Sequence, residues 1–192
     1  YTTLFRSLPF GFLLSGFALL VSYLGQMNPQ ITPLMPVLVS PWLSIHVSLI
    51  MMSYALLAFI MLNGILALCL RKKESENNVS GNDAIQDNRI EQLTLVSRLL
   101  LYPATFFLGA GIFLGAVWAN VSWGRYWAWD PKEVWALITF LVYGVAFHSQ
   151  SLRIFRKPLF FHIYMILAFL TVLMTYFGVN YVLGGMHSYA NA

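Results

Sequence analysis

Charge and cysteine are what this sequence is short of. Only 9% of its 192 residues are charged, against about a quarter in an ordinary globular domain, which excludes a soluble core wrapped in a charged surface. A single cysteine, Cys69, excludes an internal disulfide and CxxC redox chemistry, and packing is the role expected of it. No alternating strand pattern, glycine-rich phosphate loop or Ser-His-Asp arrangement competes for attention. The eleven lysines and arginines form no cluster of the kind that binds nucleic acid. A zinc site needs three or four converging ligands, and the residues at hand are two histidines with Asp130 and Glu133, whose carboxylates have another use.

What is present is apolar. Hydrophobic residues make up 59% of the chain, and the mean hydropathy of +0.70 marks an integral membrane protein. Segments near the roughly 20 residues needed to cross a ~30 Å hydrocarbon core run over 8–24, 45–70, 99–118, 134–152 and 159–181. The expected fold is an all-α, polytopic transmembrane bundle of five spanning helices, one domain over residues 1–192. Nine of the eleven basic residues (Arg6, Arg71, Lys72, Lys73, Arg89, Arg98, Arg153, Arg156, Lys157) fall on one side of that arrangement, leaving Arg125 and Lys132 on the other. Positive loops stay cytoplasmic, so the N-terminus is expected inside, with the 26–42 loop, the 118–135 loop and the tail after Tyr181 outside.

The stretch 71–97, polar from Glu74 to Glu91, reads as a flexible cytoplasmic linker. The loop Gln26–Trp42 carries four prolines and no charge, and is expected against the membrane surface or over a cavity. The chain starts at Tyr1 without an initiator methionine and reads as the C-terminal part of a longer protein.

Five of the six tryptophans lie within the eighteen residues from Trp118 to Trp135. Membrane interfaces use tryptophan as single amphipathic anchors, so this density in one external loop points to a flat, large, apolar partner. Within it, Asp130-Pro131-Lys132-Glu133 has the pattern of a helix start: an N-cap, proline at the first helical position and glutamate three residues after the cap. That explains Asp130 and Glu133 structurally, and the cap would still set the angle at which Trp129 and Trp135 are presented.

His46 and His187 both fall on the side of the tryptophan loop. Each alone reads as an interfacial polar residue, but a pair of imidazoles flanking an aromatic loop can ligate haem iron from opposite faces while the rings cover the porphyrin. Gly184 and Gly185 beside His187 permit close backbone approach. His148 lies thirteen residues beyond Trp135, roughly 20 Å deeper at 1.5 Å per residue, and cannot share an iron with His46 on straight helices. His162 sits at a similar depth, and the spacing alone does not choose between them as intramembrane functional residues.

The run Trp123-Gly-Arg-Tyr-Trp-Ala-Trp-Asp-Pro-Lys-Glu-Val-Trp135 resembles the WWD signature of haem-handling membrane proteins of cytochrome c biogenesis. It is most similar to the CcsA family, the C-terminal half of the fused synthase CcsBA. Ile45-His46-Val47 with Ser53-Tyr54-Ala55, and Gly185-Met186-His187-Ser188-Tyr189-Ala190, extend the likeness from about Ser40 to the C-terminus. The resemblance implies haem b as cargo, with His46 and His187 holding it outside beside Trp118, Trp123, Trp127, Trp129, Trp135 and Asp130. His148 would be a transmembrane ligand whose partner histidine comes from a CcsB-like part. Arg125, and with it Lys132, would pair with propionates, an interfacial anchor being the other reading of Arg125. The implied reaction joins haem to the CxxCH cysteines of apocytochrome c, catalysed by positioning and haem redox state, in a bacterial cytoplasmic membrane or, alternatively, a thylakoid. Two other readings differ in class: a CcmC-like protein that hands haem to a carrier without thioether formation, and an electron-transfer cytochrome b, for which the tryptophan loop would be superfluous.

Overall fold

The computed structural model describes Ser15, residues 41–77, 83–148 and 151–183, with the backbone alone over 72–77 and 83–87. Apart from Ser15, the expected first span lies outside the described residues, as do the proline-rich loop up to residue 40 and the tail carrying His187. The described helices fall within one compact unit, Val37–Asn191. They are α1 (Pro41–Asn77), α2 (Asp83–Trp123), α3 (Pro131–Val145, closed by a 3-10 turn at Ala146–His148) and α4 (Pro158–Leu173), which continues as a π-helix over Met174–Leu183. A second 3-10 turn, Arg153–Arg156, precedes α4. No strand occurs among the described residues, and the all-α bundle expected from the sequence is what forms.

Three described stretches are long and apolar enough to cross a membrane: Pro41–Arg71, Asn88–Trp123 and Pro158–Leu183. The segment expected to span 134–152 is shorter in helix than its hydropathy implied. It stops at Val145, about 22 Å of α-helix for its 15 residues, before the backbone tightens into the 3-10 turn.

The stretch read as a linker differs more. Residues 71–77 continue α1 and 83–97 open α2, because Ile90, Thr94 and Ser97 recur at helical spacing and are all buried, giving the polar run an inward face. Only 78–82 lie outside the described residues.

The helices meet through small and hydroxylated residues, as membrane helices do where close approach replaces hydrophobic drive. Ser53 donates to the Ala104 carbonyl at 2.8 Å and Asn63 to Ser97 at 3.3 Å, joining α1 to α2. A Cβ on Gly64 would meet the His162 carbonyl at 3.1 Å, and one on Gly109 would meet Phe140 at 3.0 Å, so α1 against α4 and α2 against α3 depend on their absence. Pro103 lies inside α2, which continues through it. The Thr105 hydroxyl bonds back to the Leu101 and Tyr102 carbonyls of the preceding turn.

Candidate functional site

At one end of the bundle α2 gives way to α3. The helix persists to Trp123, so Trp118 and Trp123 are helical residues and Trp135 belongs to α3. The loop proper is 124–130, shorter than the 118–135 loop expected, because the apolar, glycine-poor sequence after Trp118 has nothing to stop it until Gly124. There φ reaches +73°, a value natural to glycine, while its N–H still reaches the Asn120 carbonyl at 2.9 Å. Trp118 is buried, with the Trp123 ring edge-on to it at 4.9 Å.

The expected cap is present in full. Asp130 is the N-cap of α3 with Pro131 at the first position, and Asp130 and Glu133 form a reciprocal capping box. Glu133 does more than close a cap. Its Oε2 accepts from the N–H of Ala128 at 2.8 Å and from that of Asp130 at 3.3 Å. Trp129 lies between these two donors at φ +58°, a left-handed conformation that costs a bulky residue roughly 1–2 kcal/mol. One carboxylate oxygen thus pinches the chain on both sides of Trp129 and turns its indole outward, 74% exposed, edge-on to Trp127 at 6.0 Å.

His46 approaches from α1. Its Nδ1 is 2.7 Å from the Gly111 carbonyl, which can only accept, so Nδ1 carries the proton and the basic lone pair resides on Nε2. This is the arrangement by which proteins orient a metal-binding imidazole. Its ring fits because α2 presents glycine one turn further on, where a Cβ on Gly115 would come within 2.6 Å of Cε1.

A cavity of about 330 Å³ opens between these elements, within the usual size of small-molecule sites. His46, Trp118, Tyr126, Trp127, Lys132 and Glu133 line it from the loop side, and Tyr54, Thr175, Tyr176 and Asn180 from the other. Three of these come from the π-helix, whose wider turn sets Thr175 and Asn180 on one face at a spacing of five. Thr175 hydrogen-bonds Tyr54 and lies 3.1 Å from Thr139. Lys132 donates to Asn180 Oδ1 at 3.0 Å, and burial pushes its amine below the ordinary lysine range, partly opposed by the nearby Asp130 carboxylate.

Of the residues singled out in the sequence, His46, Trp118 and Trp127 line the cavity itself. Trp123 backs Trp118, Trp129 projects outward, and Trp135 is half-buried on α3 away from the cavity lining. Arg125 is exposed on the loop, whereas Lys132 faces the cavity. His187 is outside the described residues. His148 ends the 3-10 turn at the far end of α3, exposed. His162 is fully buried, with Nε2 2.9 Å from the Thr94 hydroxyl. That hydroxyl gives its proton to the Ile90 carbonyl, so His162 Nε2 is the donor and its tautomer is opposite to that of His46. Among the described residues no three metal-ligating side chains converge.

Sequence reasoning passed over Gly111, Gly115, Thr175 and Asn180. The Gly-x-x-x-Gly spacing of the first two was a readable sign of close helix approach, but nothing in a single sequence says that the approaching residue is His46.

The architecture is that of a helical membrane protein with an aromatic, imidazole-bearing cavity at one end of the bundle. The profile of the family described as cytochrome C assembly protein matches residues 5–187, and the chain belongs to that family. It is 40% identical over 178 residues to protein NrfI of Wolinella succinogenes, an alignment covering 93% of this chain and 19% of that protein. It is 41% identical to cytochrome c biogenesis protein CcsA of Chlamydomonas reinhardtii over 83% of this chain and 44% of that one. With CcsA of Guillardia theta the figures are 36%, 86% and 60%. The chain thus spans about a fifth of NrfI and roughly half of these CcsA proteins, and the CcsA kinship expected from the WWD run is present.

Proposed function

We propose that this chain takes haem b as cargo across a bacterial cytoplasmic membrane and holds it at the outer face for attachment to apocytochrome c, acting with a CcsB-like part. The observation that carries the reading is His46: an imidazole with its Nδ1 proton committed to Gly111, on the wall of a cavity roofed by Trp118, Tyr126 and Trp127. Such a group presents a neutral Nε2 donor to iron and apolar rings to a porphyrin. His187 is the second axial ligand by resemblance, and His148 the station within the membrane.

The reaction itself asks little acid–base chemistry of this chain. Each substrate thiol adds across a haem vinyl group: a carbon–sulfur bond forms, the thiol hydrogen ends on the neighbouring vinyl carbon, and no external oxidant is consumed. The protein's part is to orient the vinyl edge and exclude water. Lys132, facing the cavity, is the better-placed partner for a propionate than the exposed Arg125.

The test is the absorption spectrum of the purified protein with its CcsB-like partner, comparing wild type with His46→Ala and His187→Ala, with and without imidazole. A low-spin spectrum that is lost in both variants and restored by imidazole is expected. Unchanged haem in both would overturn the external site.

A further inference from the structure

The end of the bundle opposite the tryptophan loop holds an arginine whose contacts are spent on the backbone rather than on an acid. Arg98, just before the apolar part of α2, donates from Nη2 to the Phe155 carbonyl at 2.6 Å, and its guanidinium lies over the Phe161 ring, 5.1 Å from the centroid. Phe155 sits in the 3-10 turn before α4 and Phe161 in the first turns of α4. From Phe155 the hydrogen bonding continues without a gap. Its N–H donates to the Leu152 carbonyl at 3.0 Å, and the Leu152 N–H donates to the His148 carbonyl at 2.7 Å.

Arg98 stands one residue before the 99–118 span, among the basic residues that set the topology, yet it is half-buried with its guanidinium turned toward the protein. Here it is aimed at the elbow that ends with His148 on one side and begins α4 on the other. Ring contacts reinforce the same placement: Tyr102, one turn beyond Arg98 on α2, meets Phe147 at 5.0 Å, and Phe155 packs edge-on to Tyr164 at 4.8 Å. Tyr164 in turn donates to the Val142 carbonyl of α3 at 2.7 Å. The elbow is therefore held from α2 and from α4, and Arg98 is a charged tie to it. Lysine offers a single point donor, so it cannot combine the stacked guanidinium over Phe161 with the directed hydrogen bond to Phe155.

We infer that Arg98 is a positioning residue for His148: through Phe155 and Leu152 it fixes the backbone from which the His148 imidazole reaches a haem within the membrane. The inference rests on the reading of His148 as a haem ligand and adds the residue that aims it. Arg98 itself touches no haem in this scheme.

The test uses the protein purified with its CcsB-like partner in a His46→Ala background, so that the haem read is the one held inside the membrane. Arg98→Gln, Arg98→Lys and His148→Ala are compared by absorption spectrum, each with and without imidazole. Loss of the low-spin signal in Arg98→Gln, partial retention in Arg98→Lys, and restoration by imidazole in both Arg98→Gln and His148→Ala are expected, since a ligand that is only misplaced can be replaced from solution. A full low-spin signal in Arg98→Gln with a lost signal in His148→Ala would overturn the positioning role while leaving the His148 reading intact. A full signal in His148→Ala would overturn that reading, and the positioning role with it. Loss in Arg98→Gln that imidazole does not restore would show Arg98 to be a stability residue and overturn the proposal.

Discussion

His46 Nδ1 and the Gly111 carbonyl stand 2.7 Å apart although 65 residues separate them in the chain. The bond costs α2 nothing in packing, because a helical carbonyl has a second lone pair, and it decides which imidazole nitrogen faces the cavity. Glycine at the next turn leaves the space that the ring fills. The pair Gly111 and Gly115 is therefore both the close contact between α1 and α2 and the seat of the candidate ligand.

Gly115→Ala tests this directly. The added Cβ would lie 2.6 Å from Cε1 of His46, which forces the ring or the helix to move. Misaiming a metal-binding imidazole lowers affinity by roughly 10- to 100-fold, and overpacking a core costs about 1–3 kcal/mol. The expected result is a haem spectrum weakened at the outer site and recovered with imidazole, in a protein that still purifies in normal yield. Wild-type haem retention would show that the seat is not critical.

Glu133→Ala removes the acceptor shared by Ala128 and Asp130, leaving two backbone donors without the carboxylate that holds Trp129 in its left-handed conformation. Loss of such partners costs about 1–3 kcal/mol. A lower unfolding temperature and a changed indole environment by near-UV circular dichroism are expected. Trp129→Gly, which takes up that backbone region without steric cost, should keep the fold and reduce only haem retention. If Trp129→Gly retains haem fully, the outward indole is not part of the platform.

What the sequence disclosed was what is local. Asp130-Pro131-Lys132-Glu133 spelled out its cap because capping involves neighbours within one turn, and three of the five expected spans announced themselves by hydropathy. The missed features depend on contacts between distant segments. Trp118 and Trp123 looked like loop residues in a tryptophan-dense run, yet helical packing absorbs them. Residues 83–97 looked like linker because their charges hide an inward face at Ile90, Thr94 and Ser97. The π-helix over Met174–Leu183 has the hydropathy of an ordinary span, and its register shift, which brings Thr175 and Asn180 to the cavity, leaves no mark in composition. His148 and His162, equivalent by depth, differ only in packing: one is exposed at the end of a turn and the other is sealed against Thr94.

That difference yields a prediction about His162. With Nε2 donating to Thr94 and Nδ1 buried without a partner among the described residues, the imidazole already sits at a cost. Thr94→Val keeps the volume and removes the acceptor, which should destabilise the protein by about 1–3 kcal/mol and leave both haem spectra unchanged. Loss of haem without loss of stability would instead place His162 on the cargo's route.

Lys132 gives the pH dependence its sign. Burial lowers its pKa, so as pH rises it loses its proton before a free lysine would at about 10.4. Between the lowered pKa and that value the unfolded chain binds more protons than the folded one, and stability rises with pH across the window. A propionate beside Lys132 works in the opposite direction: it favours the ammonium, so haem binding takes up a proton and affinity should fall as pH increases through the same window. Titrating haem into the purified protein with its partner from neutral to alkaline pH should show that decline in wild type. Lys132→Arg, charged throughout, should flatten it, and Lys132→Gln should bind haem more weakly with no pH dependence from this position. Replacing haem by its dimethyl ester should abolish the difference between wild type and Lys132→Gln; if the difference survives esterification, Lys132 acts through Asn180 and the cavity wall and not on the propionate.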